Sequence, residues 1–206
     1  MRWVRDSGLS LAFGAIFLLA LVGQALTGHS AFNHEQIAHG SPTVSLLRYV
    51  GSSAFAVDVM ENWQSEYLQF ALYVLATVWL VQRGSTESKD PGDAGPGSDP
   101  SPRRPWIREN SLIVAMTTIF ALSWLAMLVT GRVDYNATQL DHREATLTLW
   151  QYAGSSDFWN RTLQNWQSEF LAVGSMAVLS IYFRQRGSSE SKPVAAPDEE
   201  TGSEAD

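Results

Sequence analysis

Residues 62–66 read Asn62-Trp63-Gln64-Ser65-Glu66, and residues 165–169 repeat them as Asn165-Trp166-Gln167-Ser168-Glu169. The same offset of 103 residues aligns Trp3–Lys89 with Trp106–Lys192 without a gap, with 32 identities in 87 positions. A match of this length at a fixed offset is typical of a duplicated unit. The sequence therefore predicts two copies, residues 1–89 and 106–192.

Each copy begins with an uncharged apolar run that is long enough to cross a bilayer. Gly8–Gly28 and Ser111–Gly131 contain 21 residues each, and a hydrocarbon core requires about 20. The first run follows two arginines and could be taken for a cleaved signal peptide. Its counterpart is internal, so we expect the first run to be a retained helix.

The second apolar run of each copy is shorter. Tyr67–Gln82 has 16 residues and Phe170–Phe183 has 14, or about 24 and 21 Å as a helix. Extending both toward the repeated blocks gives spans at about residues 63–83 and 166–186, with a tryptophan at headgroup level at each start. The predicted fold class is an all-α membrane protein with four transmembrane helices, arranged as two tandem, parallel helix-loop-helix repeats.

Two segments outside the copies are acidic. The linker, residues 90–105, has three acidic residues before Pro102, and the tail, residues 193–206, has five. Without these eight the formal charge would change from −7 to +1, so the net acidity belongs to these two segments. We expect both to be disordered. The rest of the chain has no basic face, and we expect no nucleic-acid partner.

Lysines and arginines are divided unevenly between the two sides of the predicted spans. Ten lie at the termini, in the linker and at the ends of the second spans, and four lie in the two loops. Because positive residues favour the cytoplasmic side, this division places both termini and the linker in the cytoplasm. The chain is thus expected to be a multi-pass protein with two external loops.

The repeated blocks are the first candidate site, at the membrane entrance of each second span. An ionisable side chain within a span is costly and often functional, and Glu66 and Glu169 are placed about one helical turn inside the apolar slab. A cation, a proton or a polar headgroup could bind there; alternatively, both glutamates reach the external interface and bond to loop amides. The candidate residues are Asn62, Trp63, Gln64, Ser65, Glu66, Asn165, Trp166, Gln167, Ser168 and Glu169.

The second candidate site lies in the external loops. His39 and His142 are the histidines at equivalent positions, and they could bind a metal or a headgroup, or serve only in packing or capping. The chain has no cysteine, which excludes disulfides, thiolate nucleophiles and iron–sulfur clusters. No histidine lies well within a span, so we expect no haem. No cofactor and no metal site are predicted.

Several of these motifs occur together in one known family. The combination of Asn-Trp-Gln-Ser-Glu-aromatic-Leu, a short span and Gln-Arg-Gly-Ser-X-Glu-Ser-Lys resembles small bacterial membrane proteins catalogued as a domain of unknown function. The resemblance covers nearly all of residues 1–192, including Leu21–Gly28. It implies a bacterial inner (plasma) membrane and brings no activity, cofactor or catalytic residue with it.

The chain contains none of the common catalytic motifs: no nucleophile elbow, phosphate loop, His-Glu-X-X-His helix or dinucleotide fingerprint. We therefore expect a non-enzymatic structural or partner-binding membrane module, whose partners are the lipid bilayer and itself or another membrane protein. One alternative is a small oligomeric channel or transporter with Glu66 and Glu169 in its path. A second is a lipid- or envelope-directed enzyme that uses these glutamates with His39 and His142 as acids and bases.

Overall fold

The structure, a computed structural model, describes residues 4, 6–97 and 104–202. Within them it contains seven α-helices, one short 3-10 helix at Pro91–Asp93, and no strand. Linker residues 98–103, tail residues 203–206, Trp3, Arg2 and Arg5 lie outside the described residues. The helices are α1 (Gly8–Ala38), α2 (Leu46–Val50), α3 (Ser53–Trp79), α4 (Trp106–Glu109), α5 (Ser111–Asp141), α6 (Leu149–Ala153) and α7 (Ser156–Tyr182).

The all-helical part of the predicted fold class is confirmed. Within the described part of the chain, two helices are long and apolar enough to cross a membrane, α1 and α5, with 31 residues each. The bounds of α5, α6 and α7 lie 103 residues after those of α1, α2 and α3. Helices α3 and α7 end four residues before the ends of the spans predicted for them.

The chain divides into two compact units, and each unit takes residues from both predicted copies. Unit 1 comprises Met1–Val59 and Met127–Tyr152, and unit 2 comprises Met60–Ala126 and Ala153–Asp206. Helices α3 and α5 therefore each contribute one part to unit 1 and another to unit 2. The units do not coincide with the two copies in sequence.

In unit 1, an asparagine near the end of each long helix holds the loop that follows. The Asn33 carboxamide accepts a hydrogen bond from the Val44 N–H at 2.8 Å and donates one to the Val44 carbonyl at 3.0 Å. Asn136 makes the same two bonds with Leu147, at 2.8 and 2.9 Å. Because both backbone groups of the loop residue are bonded, each loop is fixed against its helix.

The core of unit 1 contains two tyrosines that pack against glycines of the long helices. Tyr49 and Tyr152 are buried, and burial raises the pKa of Tyr49 from its usual value. A methyl group on Gly28 would overlap the Tyr49 hydroxyl, and one on Gly131 would lie 2.6 Å from the Tyr152 hydroxyl. Since these contacts leave no room for a Cβ, both positions require glycine for close approach.

In unit 2, the segments after α3 and α7 form the same turn, which we call turn 1 (Gln82–Lys89) and turn 2 (Gln185–Lys192). Each contains a glycine with positive φ, +84° at Gly84 and +81° at Gly187. In each, the last serine accepts a hydrogen bond from the N–H of the first glutamine, at 2.8 Å in both turns. The repeated motif Gln-Arg-Gly-Ser-X-Glu-Ser-Lys thus encodes one local structure twice.

Polar and apolar side chains are distributed in an unusual way along these helices. No residue of α1 is buried, and its large apolar side chains are widely exposed, for example Leu9 at 76% and Leu19 at 73%. In unit 2, by contrast, several buried side chains are polar: Gln64, Ser65, Ser85, Ser123, Thr162, Ser180 and Lys192. A buried polar group or a large exposed apolar surface is more informative than single exposed residues, because neither is typical of a water-soluble domain.

Candidate functional site

The structure brings parts of the two repeated blocks together in unit 2, where α3 and α7 are in contact. The Trp166 indole N–H donates to the Gln64 side-chain oxygen at 2.8 Å. Gln64 is fully buried, and its amide group also donates to the Glu61 carbonyl at 3.0 Å. One buried glutamine therefore links its own helix to the block of the other copy.

The two glutamates lie close to this bond. The Ser65 hydroxyl and the Glu66 charge are both near enough to act on the Glu169 carboxylate. Glu66 is exposed and Glu169 is half-buried. The glutamates of the two repeated blocks are thus near each other, a relation that the sequence did not predict.

The two blocks contribute different faces to the contact. In the first block Gln64 and Ser65 are buried, whereas the matching Gln167 and Ser168 are exposed. The Ser168 hydroxyl donates to a carbonyl of its own helix at 2.9 Å, as the Ser65 hydroxyl does at 2.8 Å, so the blocks differ in burial and not in this bond. The polar site is therefore asymmetric, and the identical sequences have different surroundings.

An ion pair that the sequence analysis did not single out lies beside this site. Arg161 donates to the Glu61 carboxylate at 3.0 Å and to Asp157, one helical turn before it, at 3.3 Å. In the other copy, the position of Glu61 is occupied by the uncharged Gln164, and that of Arg161 by the oppositely charged Asp58. The sequence feature that could have indicated this ion pair is therefore a charge difference between the two copies, whereas the candidate residues of the sequence analysis are identical in both.

The two matched histidines meet in unit 1. The rings of His39 and His142 are 5.8 Å apart between centroids and nearly perpendicular, and both residues are exposed. His39 is the C-cap residue of α1. Across the described ranges, no group of three or more histidine, cysteine or acidic side chains is arranged to hold a metal ion. Because protein zinc sites use three or four such ligands, the metal interpretation lacks a third ligand here.

No curated protein matches the chain, and no solved structure does. A family model described as "Domain of unknown function (DUF6766)" matches residues 1–203. The expected membership of an uncharacterised family is confirmed, while the bacterial origin and the inner-membrane location stay predictions. The chain belongs to this family of unknown function.

Proposed function

We propose that this chain is a four-span membrane protein, built from two tandem copies of a two-span unit, that serves as a non-enzymatic partner-binding module of a bacterial inner membrane. The observation that carries the proposal is that apolar side chains are exposed and polar side chains are buried, the reverse of what a water-soluble protein shows. Leu9 and Leu19 of α1 are widely exposed, while Gln64 and Ser65 are buried in unit 2. A bilayer accommodates an apolar exterior, and polar side chains then bond to one another between helices.

The surfaces of α3 and α7 support their assignment as the second and fourth spans. Apolar side chains are exposed along the second half of each helix, including Phe70, Leu75 and Trp79 in α3 and Leu171, Val178 and Tyr182 in α7. The apolar part of α3, Tyr67–Trp79, has 13 residues, or about 20 Å of helix. Such a short span is accommodated when the bilayer thins locally.

The two-copy arrangement is supported by the paired contacts. The bounds of three helices recur at one offset, each copy fixes its loop with an asparagine, and each packs a tyrosine against a glycine. Both turn glycines have nearly the same positive φ. Independent features that recur at one offset are difficult to reconcile with chance.

Cysteine labelling from one side of the membrane tests this topology directly, because the chain has no cysteine of its own. We would introduce Thr43→Cys, Asp93→Cys, Thr146→Cys and Ser189→Cys singly, at exposed positions, and treat intact cells with an impermeant maleimide. Four spans predict labelling at residues 43 and 146, and labelling at 93 and 189 only after permeabilisation. If only α1 and α5 crossed the bilayer, residue 93 would be labelled and residue 146 protected, and the proposal would be wrong.

Ion transport is the second candidate, because Glu66 and Glu169 lie within electrostatic reach of each other. Two carboxylates close together can share a proton or hold a cation. We would measure proton and sodium flux in liposomes for the wild type and for Glu66→Gln and Glu169→Gln. Flux above that of empty liposomes that disappears in both variants would favour transport. Wild-type flux equal to that of empty liposomes would exclude it for these ions.

A further inference from the structure

Turn 1 is covered by the chain's own tail. The Gly84 N–H donates to the Thr201 hydroxyl at 3.0 Å, and the Gly202 N–H donates to the Ser85 carbonyl at 3.0 Å. A methyl group on Gly84 would overlap the Asp198 carbonyl oxygen. Turn 1 therefore binds residues 198–202 of the tail, which turn at Asp198 and Glu199, through backbone groups that its glycine exposes.

Two basic side chains that follow α7, Arg184 and the last residue of turn 2, Lys192, hold the same tail segment in place. The Lys192 ammonium donates to the carbonyls of Pro197, Asp198 and Glu200 at 3.2, 3.0 and 2.9 Å. Arg184 donates to the Asp198 carboxylate at 2.9 Å. Burial lowers the pKa of Lys192 from its usual value, and the nearby Arg184 adds to this effect. An acidic peptide segment is thus the ligand that this part of the molecule already accommodates.

Turn 2 has the same backbone as turn 1 but is open. Gly187 is exposed, whereas Gly84 is buried. A methyl group on Gly187 would meet no atom within 4 Å. A cavity of about 350 Å³ lies against the turn, lined by Gln185–Ser188 and Ser191–Val194. Among the residues that the structure describes, nothing occupies the place that the tail takes on turn 1.

The charge of the cavity indicates the kind of ligand that fits. Its lining contains Arg186 and no acidic residue, and the ammonium of Lys192, which also lines it, is already bonded to three carbonyls of the tail. Arg186 is exposed, so its guanidinium is available to a carboxylate. We infer that turn 2 binds an acidic peptide segment of a partner protein, in the way that turn 1 binds the chain's own tail. This assignment rests on the proposed partner-binding role and names the chemistry of the partner.

A labelled peptide with the sequence of Val194–Gly202 is the probe, titrated into the full-length protein in detergent and followed by fluorescence polarisation. We expect saturable binding to the wild type. Gly187→Ala should weaken it by at least about tenfold, because the methyl group takes the space of the bound peptide carbonyl. Gly84→Ala is the matched variant, because Gly84 has nearly the same positive φ as Gly187. It should bind the peptide as tightly as the wild type does, or more tightly if the substitution displaces the protein's own tail from turn 1.

A second pair of variants removes charge without changing the turn backbone. Arg186→Ala should weaken binding and reduce its salt dependence, whereas Arg83→Ala, at the equivalent place in turn 1, should not. A control peptide with Asn and Gln in place of Asp198, Glu199 and Glu200 should bind more weakly than the acidic peptide. This pair decides the question even if Gly187→Ala fails to fold.

Three results would overturn the inference: no saturable binding, equal binding of the acidic and amide peptides, or loss of binding in Gly84→Ala and Arg83→Ala instead of in the turn 2 variants. Vesicles of anionic phospholipid provide a further test. If they displace the peptide from the wild type but do not bind Arg186→Ala, the cavity is a headgroup site and the inference is wrong. Peptide binding in detergent does not depend on the number of spans, so its failure is separable from a failure of the labelling experiment.

Discussion

The Tyr49 hydroxyl lies where a side chain on Gly28 would have to be. We expect Gly28→Ala to destabilise the protein by about 1–3 kcal/mol, the usual effect of overpacking. Gly23→Ala, in the same helix, is the control, because a methyl group there meets no atom within 4 Å, and alanine is the better helix former. Thermal unfolding in detergent should therefore show a lower midpoint for Gly28→Ala only. A second change, Tyr49→Phe, should restore part of the loss, and equal midpoints for the two glycine variants would contradict the packing seen here.

Gln64 and Gln167 are the same residue in the repeated block, yet only Gln64 is buried. Gln64→Ala removes the acceptor of the Trp166 N–H, and an unpaired buried donor costs about 1–3 kcal/mol. Gln167→Ala should change stability by less than about 0.5 kcal/mol, as surface substitutions generally do. The two unfolding midpoints, measured in the same detergent, decide whether the asymmetry is real. A similar loss in both variants would show that the two blocks have equivalent surroundings.

At this scale, sequence reasoning found residues but not their partners. The repeated block pointed to Gln64, Ser65 and Glu169, which the structure brings together. It could not show that the first block is buried where the second is exposed, because identical residues carry no information about which face packs. The sequence did contain a sign of the Gly28 and Gly131 contacts, since each glycine recurs together with a tyrosine at a fixed spacing. The spacing alone, however, does not indicate that the glycine and the tyrosine are in contact, because many recurring pairs are far apart in the fold.

Among the helices, the presence of the two long apolar helices was easier to predict than the residues at which they end. The first apolar run ends at Gly28, but α1 continues to Ala38, because the polar residues that follow still form a helix outside the apolar slab. Two adjacent serines stand at the start of each helix that leads into a second span, Ser52 and Ser53 in one and Ser155 and Ser156 in the other. The capping hydroxyls belong to Ser52 and Ser155. Adjacent serines are indistinguishable as caps until the backbone is known.

The loops after α1 and α5 should respond to loss of their asparagines separately. Asn33→Ala leaves the Val44 N–H without its partner at 2.8 Å, and we expect hydrogen exchange at Val44 to accelerate on the order of fivefold, as loss of about 1 kcal/mol predicts. Asn136→Ala should do the same at Leu147. Each variant serves as the control for the other loop. Exchange that rises in both loops in either variant would indicate general unfolding instead of a local clamp.

One contact of each loop is made by different residues in the two predicted copies. His29 contacts the Val44 carbonyl oxygen at 2.7 Å, and Arg132, at the equivalent position, donates to the Leu147 carbonyl at 2.8 Å. The two side chains differ in size and charge, but both can donate a hydrogen bond to the same backbone group. An alignment of the copies treats this position as a mismatch. Its role could be recognised only from the structure.

For the molecule as a whole, the division into units leads to a prediction about cutting the chain. Each unit combines residues of both copies: in unit 1 Val57 lies against Gly131, and in unit 2 Gln64 bonds to Trp166. A chain expressed as two fragments, 1–97 and 104–206, would separate these partners. We therefore expect either fragment alone to be aggregated or degraded, because each lacks part of both cores and exposes Gln64 or Trp166 without its partner.

Expressed together, the two fragments should assemble, since both contacts join a residue of one fragment to a residue of the other. Purification through a tag on residues 104–206 should recover the untagged fragment 1–97 in equal amount, with an unfolding midpoint close to that of the intact chain. Gln64→Ala in the smaller fragment should reduce the recovery, whereas Gln167→Ala in the larger one should not. If fragment 104–206 alone were monodisperse and as stable as the whole protein, each copy would fold by itself. The interleaving of copies within each unit would then be wrong.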